Sequence, residues 1–511
     1  MRAIVFEILA VTAYLTTFAA ALSRMAAVRL YWFDEIFTLH LSRFESPTQL
    51  WHWLANGADN NPPLSYLLTA ASVAIFGESE WSLRLPAIAG ALLASVCLYL
   101  FVRRRRGPSE AFLAMAAIGP TQPIWSFFLE ARPYGLAIGF TALALLSWQR
   151  ATAADEPDTA SPSRRGAWKT LFAASLVMGM ATHYFFVVPI LALGVGELVR
   201  TISRRKLDLG IALGFALSVV TLALLHPLWG HGSAEYAPGF WAKVKLTNSA
   251  IEDAFFGMTS KTLMLPMVLA LTVGIVAGRG RAQRPESSRD ETEKGYPLWE
   301  AMALAVLAVS PAIGVALGAK VIGAYYYRYT LPAVIGLAAV LAFAISRACG
   351  QARWGCWIAA LGFAFTGAAG QWSGTPDGFR YVATEVRELN DALDRHAATG
   401  TVLIESPSLF MRAWHYHGDH SARIAFACDL AREMKHTNTD TAHRGLQALN
   451  RVSPVPLMNF EAVADEVKAG RPLFYFGSEA WPKLELESLG VSFTKVEDRP
   501  NGALYRLGVK P

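Results

Sequence analysis

Apolar residues recur here in runs of about twenty, and that pattern restricts the fold more than any other feature. A run of that length crosses a roughly 30 Å hydrocarbon core as one helix. Such runs occupy residues 4–22, 82–102, 109–128, 133–150, 168–184, 185–200, 208–228, 262–279, 297–318, 324–346 and 353–371. Only 17% of the 511 residues are charged against 53% hydrophobic, too little charge for an ordinary soluble enzyme. The spacing predicts a polytopic α-helical membrane protein with about eleven transmembrane helices. The first run reads as a retained anchor, not a removed signal peptide. The tail, residues 372–511, lacks such a run and is polar. The expected division is a transmembrane domain over 1–371 and a soluble α/β domain over 372–511.

Basic residues set the direction of the spans. They cluster at 103–106, at Arg164, Arg165 and Lys169, at Arg200, Arg204, Arg205 and Lys206, at 279–294, and at Arg347 and Arg353. Cytoplasmic loops carry such excesses, so the net charge of +6 reads as topology, not as nucleic-acid binding. With about eleven spans and the N-terminus inside, all five clusters share one side and the tail lies outside. The 61–77 segment is apolar but short. If it crossed, the alternation would break, so it is expected to be a juxtamembrane or re-entrant helix on the outer face, with Pro62 and Pro63 in its first turn.

Ionisable groups are costly in lipid, so their gathering points matter. The outer ends of the spans carry Asp34-Glu35 among aromatics, Glu130-Ala131-Arg132-Pro133-Tyr134, Thr182-His183-Tyr184, and Lys320 with Tyr325-Tyr326-Tyr327-Arg328-Tyr329. Each has a plainer reading. Acids suit a helix N-terminus, arginines snorkel, tyrosines belt the interface, and a lone histidine is usually a structural hydrogen-bonder. Even so, Arg132 and Arg328 present planar forks suited to phosphate. The outer loop 229–261 adds His231, Glu235, Tyr236, Phe240, Trp241, Lys243 and Lys245, suited to a lipid-phosphate or glycan surface or to an amphipathic interfacial helix.

Taken in order, Asp34-Glu35, Asn61-Pro62-Pro63-Leu64, Phe76-Gly77, Leu83-Arg84-Leu85-Pro86, Glu130-Ala131-Arg132-Pro133-Tyr134, Thr182-His183-Tyr184 and Arg328-Tyr329 resemble the GT-C glycosyltransferases. The nearest pattern is the bacterial dolichyl-phosphate-mannose–protein mannosyltransferase-like group, and the lipid A aminoarabinose transferase is a more distant cousin. The resemblance spans roughly residues 1–371. Asn61 stands where that family usually has histidine, and an amide cannot act as a base.

The resemblance implies a polyprenyl-phosphate-linked sugar donor and a protein, lipid or polysaccharide acceptor, in a multi-pass plasma (inner) membrane protein whose active site and tail are extracytoplasmic. It implies Asp34 as catalytic base with Glu35 in support, and Arg132, Tyr134, Arg328 and Tyr329 around the donor phosphate. Glu130, His183, Asn61 and Lys320 would be supporting residues. No cofactor is required by this reading. A divalent metal is allowed, its ligands unknown. Membrane lipids are partners and nucleic acid is not. A transporter or flippase for a lipid or glycan is the alternative, since it would also be polytopic and basic, but such proteins favour midplane charges and internal repeats, and neither is visible here.

The tail predicts a helix over 377–396, strands over 401–405, 423–427 and 472–476, and a hairpin over 491–509 around Pro500-Asn501-Gly502. His415, His417, Asp419 and His420 have ligand-like density, although short imidazole clusters are more often exposed loop residues.

Overall fold

A computed structural model describes residues 2–119, 122–153, 162–229, 245–259, 295–322, 325–349, 353–373, 376–396, 400–416 and 423–511. The expected run at 262–279, most of the 229–261 loop, and His417, Asp419 and His420 lie outside these residues. The chain is polytopic and helical, with a small C-terminal α/β fold. It forms two compact units. One comprises Met1–Ala27, Asn61–His226 and Lys243–Gly374; the other comprises Val28–Asn60 and Thr375–Pro511, with a stretch after His226.

Most apolar runs become helices of the first unit: Arg2–Val28, Glu80–Arg105, Tyr134–Thr152, Pro162–Thr182, Val187–Arg204, Leu209–Leu224, Leu298–Leu317, Ala333–Cys349 and Arg353–Ser373. Among the described residues, four are long and apolar enough to cross a membrane by composition alone. The 109–128 run differs from expectation. It is described as two helices, Pro108–Ala116 and Gln122–Phe128, and Gly119-Pro120, a helix-breaking pair in the sequence, falls between them. The 324–346 run also starts its helix late, at Ala333. Its tyrosines lie before it, in and around a 3-10 turn at Tyr327–Thr330.

Direction follows from contacts at both ends of the first helix. Near its start, Glu7 accepts from Arg103 at 2.6 Å, at the end of Glu80–Arg105. Near its end, the Ala26 carbonyl accepts from buried Arg84 at 2.7 Å, at the beginning of Glu80–Arg105. The two helices are therefore antiparallel neighbours, and the chain between them makes no net crossing. Leu64–Phe76 fits that conclusion: at 13 residues it is about 20 Å long, short of the bilayer core. Helices Glu80–Arg105 and Tyr134–Thr152 pack almost backbone to backbone. A Cβ on Gly90 would stand 2.3 Å from the Gly135 carbonyl oxygen, and one on Gly139 would stand 2.7 Å from that of Gly90. Small residues allow such approaches between membrane helices.

The second unit is built on one six-stranded sheet of order β3-β2-β1-β4-β6-β5. Its strands are β1 Thr401–Ile404, β2 Ile424–Ala427, β3 Leu457–Met458, β4 Leu473–Gly477, β5 Val491–Arg499 and β6 Gly502–Val509. β1 pairs in parallel with β2 and β4, and β5–β6 is the expected hairpin. Central strands β2 and β4 are buried along their whole length, as strands covered on both faces must be. Helices cover the sheet, including Pro376–His396 and Pro407–Tyr416.

Candidate active site

Three helix ends of the first unit converge on one small recess. Pro133 precedes helix Tyr134–Thr152, and the glycine contacts just described press that helix against its neighbour, which fixes the position of Tyr134. His183 caps the 3-10 turn Tyr184–Phe186, its Nδ1 accepting from the Phe185 amide at 3.2 Å. The neutral ring therefore carries its proton on Nε2. Arg328 lies in the 3-10 turn Tyr327–Thr330. A 2.6 Å hydrogen bond between the Tyr325 and Thr330 hydroxyls closes that turn, and both side chains pack on helix Leu298–Leu317 in a notch that Gly314 keeps open.

These residues meet as an aromatic box. Arg328 Cζ lies 5.9 Å from the Tyr134 ring, 5.2 Å from Tyr326 and 5.9 Å from Tyr329. The His183 ring lies 5.6 Å from Tyr134 and 5.9 Å from Tyr329. Phe185 stacks on Tyr329 at 4.4 Å. Tyr134, His183, Phe185, Arg328 and Tyr329, with Ala137, Phe186, Leu331 and Pro332, line a small recess. A guanidinium held among ring faces keeps its fork in one plane, which suits phosphate oxygens.

Of the expected site residues, Tyr134, His183, Arg328 and Tyr329 thus come together. Arg132 and Glu130 are buried in the turn before Tyr134, and the charges of Glu130 and Arg328 both reach Tyr327. Asn61 is buried just before helix Leu64–Phe76. Lys320 is exposed in a π-helical turn at Gly318–Ile322 and makes none of these contacts. Phe185 and Phe127, which packs against Tyr134 and Tyr327, escaped the sequence reading. Their signal was slight: apolar aromatics beside His183 and before Glu130 look like span residues.

Asp34 and Glu35 belong to the second unit, at the start of helix Phe33–Leu41. Glu35 is fully buried, and its carboxylate accepts from the Trp32 amide at 3.2 Å. It therefore caps its own helix, satisfying an amide that the first turn leaves over. Asp34 is half-buried, ahead of a wholly buried stretch from Glu35 to Leu41. His415 packs against Tyr31 and Tyr416. Among the described residues no group of three or more His, Cys, Asp or Glu side chains could hold a metal ion.

Residues 60–230 match the family model described as dolichyl-phosphate-mannose-protein mannosyltransferase. No curated protein matches the chain by sequence. In fold, the chain is similar to ArnT from Cupriavidus metallidurans in the apo state, with 15% identity and a TM-score of 0.63 over 99% of this chain and 98% of that one. It is also similar to ArnT from the same organism bound to undecaprenyl phosphate, with 16% identity and a TM-score of 0.57 over 98% of both chains. The fold extends along nearly the whole length, and the family match covers the segment that carries Arg132, Tyr134 and His183. The chain thus shares the fold of ArnT, and its 60–230 segment matches the mannosyltransferase family model.

Proposed function

We propose that the chain transfers a sugar from a polyprenyl-phosphate donor to an acceptor hydroxyl at the extracytoplasmic face of the plasma (inner) membrane. The observation that carries this reading is the Arg328 box, a cation among rings beside a recess at helix ends. The similar fold of ArnT bound to undecaprenyl phosphate supports a polyprenyl-phosphate donor. The side assignment rests on the basic clusters.

In this mechanism the acceptor oxygen attacks the anomeric carbon as the bond to the phosphate oxygen breaks, with inversion. Asp34 takes the acceptor proton as general base. Its helix start is held by the Glu35 cap, so Glu35 serves by fixing its neighbour. The polyprenyl phosphate leaves with its charge developing on oxygens that Arg132 and Arg328 hold, while Tyr134 and Tyr329 keep the Arg328 plane in place. A phosphate leaving group needs cations more than a strong acid, so two opposed carboxylates are not required. His183, packed against Tyr134 and Tyr329, is a supporting residue. Acceptors of this chemistry are protein, lipid or polysaccharide hydroxyls. No step is routed through a metal.

The test is Asp34→Asn in the purified full-length protein, assayed with undecaprenyl-phosphate-linked mannose and undecaprenyl-phosphate-linked aminoarabinose, and with membrane extract as acceptor. Loss of about 10²–10⁴-fold in kcat is expected of a missing general base. Undiminished transfer would remove Asp34 from that role.

A further inference from the structure

A nine-residue helix is too short to hold itself together in water. Helix Phe33–Leu41 must therefore borrow its rigidity, and within its own unit the α/β fold supplies it from both ends. At the entrance, the Tyr416 hydroxyl accepts from the Tyr31 amide at 2.8 Å, and the two rings stack at 6.0 Å. At the exit, Trp414 lies flat on His40, with centroids 4.8 Å apart and planes 12° from parallel. Between them Gly445, in helix Thr441–Asn450, faces Phe37; a Cβ there would stand 3.4 Å from that ring. Farther along the same segment, Arg451 donates to the Asn56 carbonyl at 2.8 Å.

The holder is itself well anchored. Helix Pro407–Tyr416 follows closely on β1, and its Leu409, Phe410, Met411 and Ala413 are buried. Phe410 packs on Phe426 of β2 at 5.3 Å. Arg412 pairs with Glu385 of the preceding long helix at 2.9 Å. A continuous packed path thus runs from the sheet to the helix that bears Asp34.

We infer that the α/β domain is the jig that sets the Asp34 helix, with Tyr416 and Trp414 as positioning residues for sugar transfer. The inference rests on the reading of Asp34 as the base. The two residues act through the backbone of residues 31–40 and not on the substrate, so their loss lowers turnover and leaves donor affinity alone. A displacement of about 1 Å in a catalytic group costs on the order of 10²-fold.

The experiment compares Trp414→Ala, Trp414→Phe and Tyr416→Phe in the full-length protein, again with the undecaprenyl-phosphate-linked sugar that supports wild-type transfer. Trp414→Ala should lower kcat about 10–100-fold with donor KM held within about twofold. Trp414→Phe keeps a ring against His40 and should recover most of the loss, and Tyr416→Phe should show a smaller loss. Amide exchange supplies a second readout. Exchange over Phe33–Leu41 should rise at least about tenfold in Trp414→Ala, with β1 and helix Tyr134–Thr152 unchanged. Unchanged exchange over Phe33–Leu41, or faster exchange with kcat intact, overturns the jig. Asp34→Asn is assayed alongside. Full activity there refutes the base assignment while the exchange comparison still decides whether the domain holds the helix. An inactive Asp34→Asn beside a silent Trp414→Ala refutes the jig alone.

Discussion

The two ends of the membrane bundle are both rich in arginine, yet they are built on opposite plans. At one end Arg103, Arg105 and Arg200 each meet an acid. Arg105 donates to Glu300 at 2.9 Å, Gln149 adds a 3.1 Å bond to the same carboxylate, Arg200 reaches Glu197 at 2.6 Å with Trp148 donating at 2.8 Å, and Arg103 holds Glu7. These groups are mostly buried and knit five helices together. At the other end Arg328 sits among ring faces beside a recess. A buried charge therefore does not mark a functional site by itself. What surrounds it differs: acids and an amide meet the guanidinium at one end, and aromatic walls beside a recess surround it at the other.

Breaking the Arg105–Glu300 pair should give the largest effect. Glu300→Ala would leave Arg105, with only 8% of its side chain exposed, without its main counter-charge. Removing one partner of a buried pair costs about 3–5 kcal/mol. A large fall in thermal stability in detergent is expected, with transfer per folded molecule unchanged within about twofold. A variant of wild-type stability that has lost transfer would join this end to the active site and break the comparison.

The α/β domain supplies a third arrangement, in which the partners of buried titratable groups are backbone. Burial pushes the Glu433 carboxyl up to about 7, and burial holds the His443 imidazole down to about 4. The His443 amide donates to Glu433 at 2.9 Å, and His443 Nδ1 accepts from the Asp429 amide at 2.8 Å. Between their ordinary and folded values the two oppose each other. From pH 4.5 to about 7 the folded chain keeps a Glu433 proton that the unfolded chain has lost, so stability falls as pH rises. From about pH 4 to 6.5 the unfolded chain keeps a His443 proton that the folded chain lacks, so stability rises. Their overlap should be nearly flat. In Glu433→Gln only the rise remains, about 3 kcal/mol between pH 4 and 6.5. Opening free energies from amide exchange in β1 and β2 measure it. A profile that stays flat would mean that His443 is not held neutral by its burial.

Much of the architecture was legible because it is periodic. Runs of twenty apolar residues gave the spans, and alternating apolar positions around Pro500-Asn501-Gly502 gave the hairpin that β5 and β6 form. The short β3, Leu457–Met458, carries no periodic signal at two residues. The cations were legible too, since Arg132 and Arg328 interrupt apolar sequence. Their division of labour was not. Arg105 and Glu300 are 195 residues apart, and Tyr31 and Tyr416 are 385 apart, so no local pattern can pair them. Glu35 was half legible: an acid in a first turn suggests a cap, and its 3.2 Å contact to the Trp32 amide is one.

The smallest expected effect is the sharpest test of the Arg328 end. Arg328→Lys keeps the charge and removes the plane. Lysine's ammonium is a compact point charge on a flexible stem, and it cannot lie among the Tyr134, Tyr326 and Tyr329 faces as a guanidinium does while offering two parallel donors. Donor kcat/KM should fall about tenfold, equivalent to about 1.4 kcal/mol of transition-state stabilisation, with thermal stability nearly unchanged. Arg105→Lys at the other end should do the reverse, lowering stability through the lost fork on Glu300 and leaving transfer alone. Equal donor kcat/KM for Arg328→Lys and wild type would mean that charge alone suffices there. The aromatic box would then be packing, and the contrast between the two ends would reduce to the presence or absence of a recess.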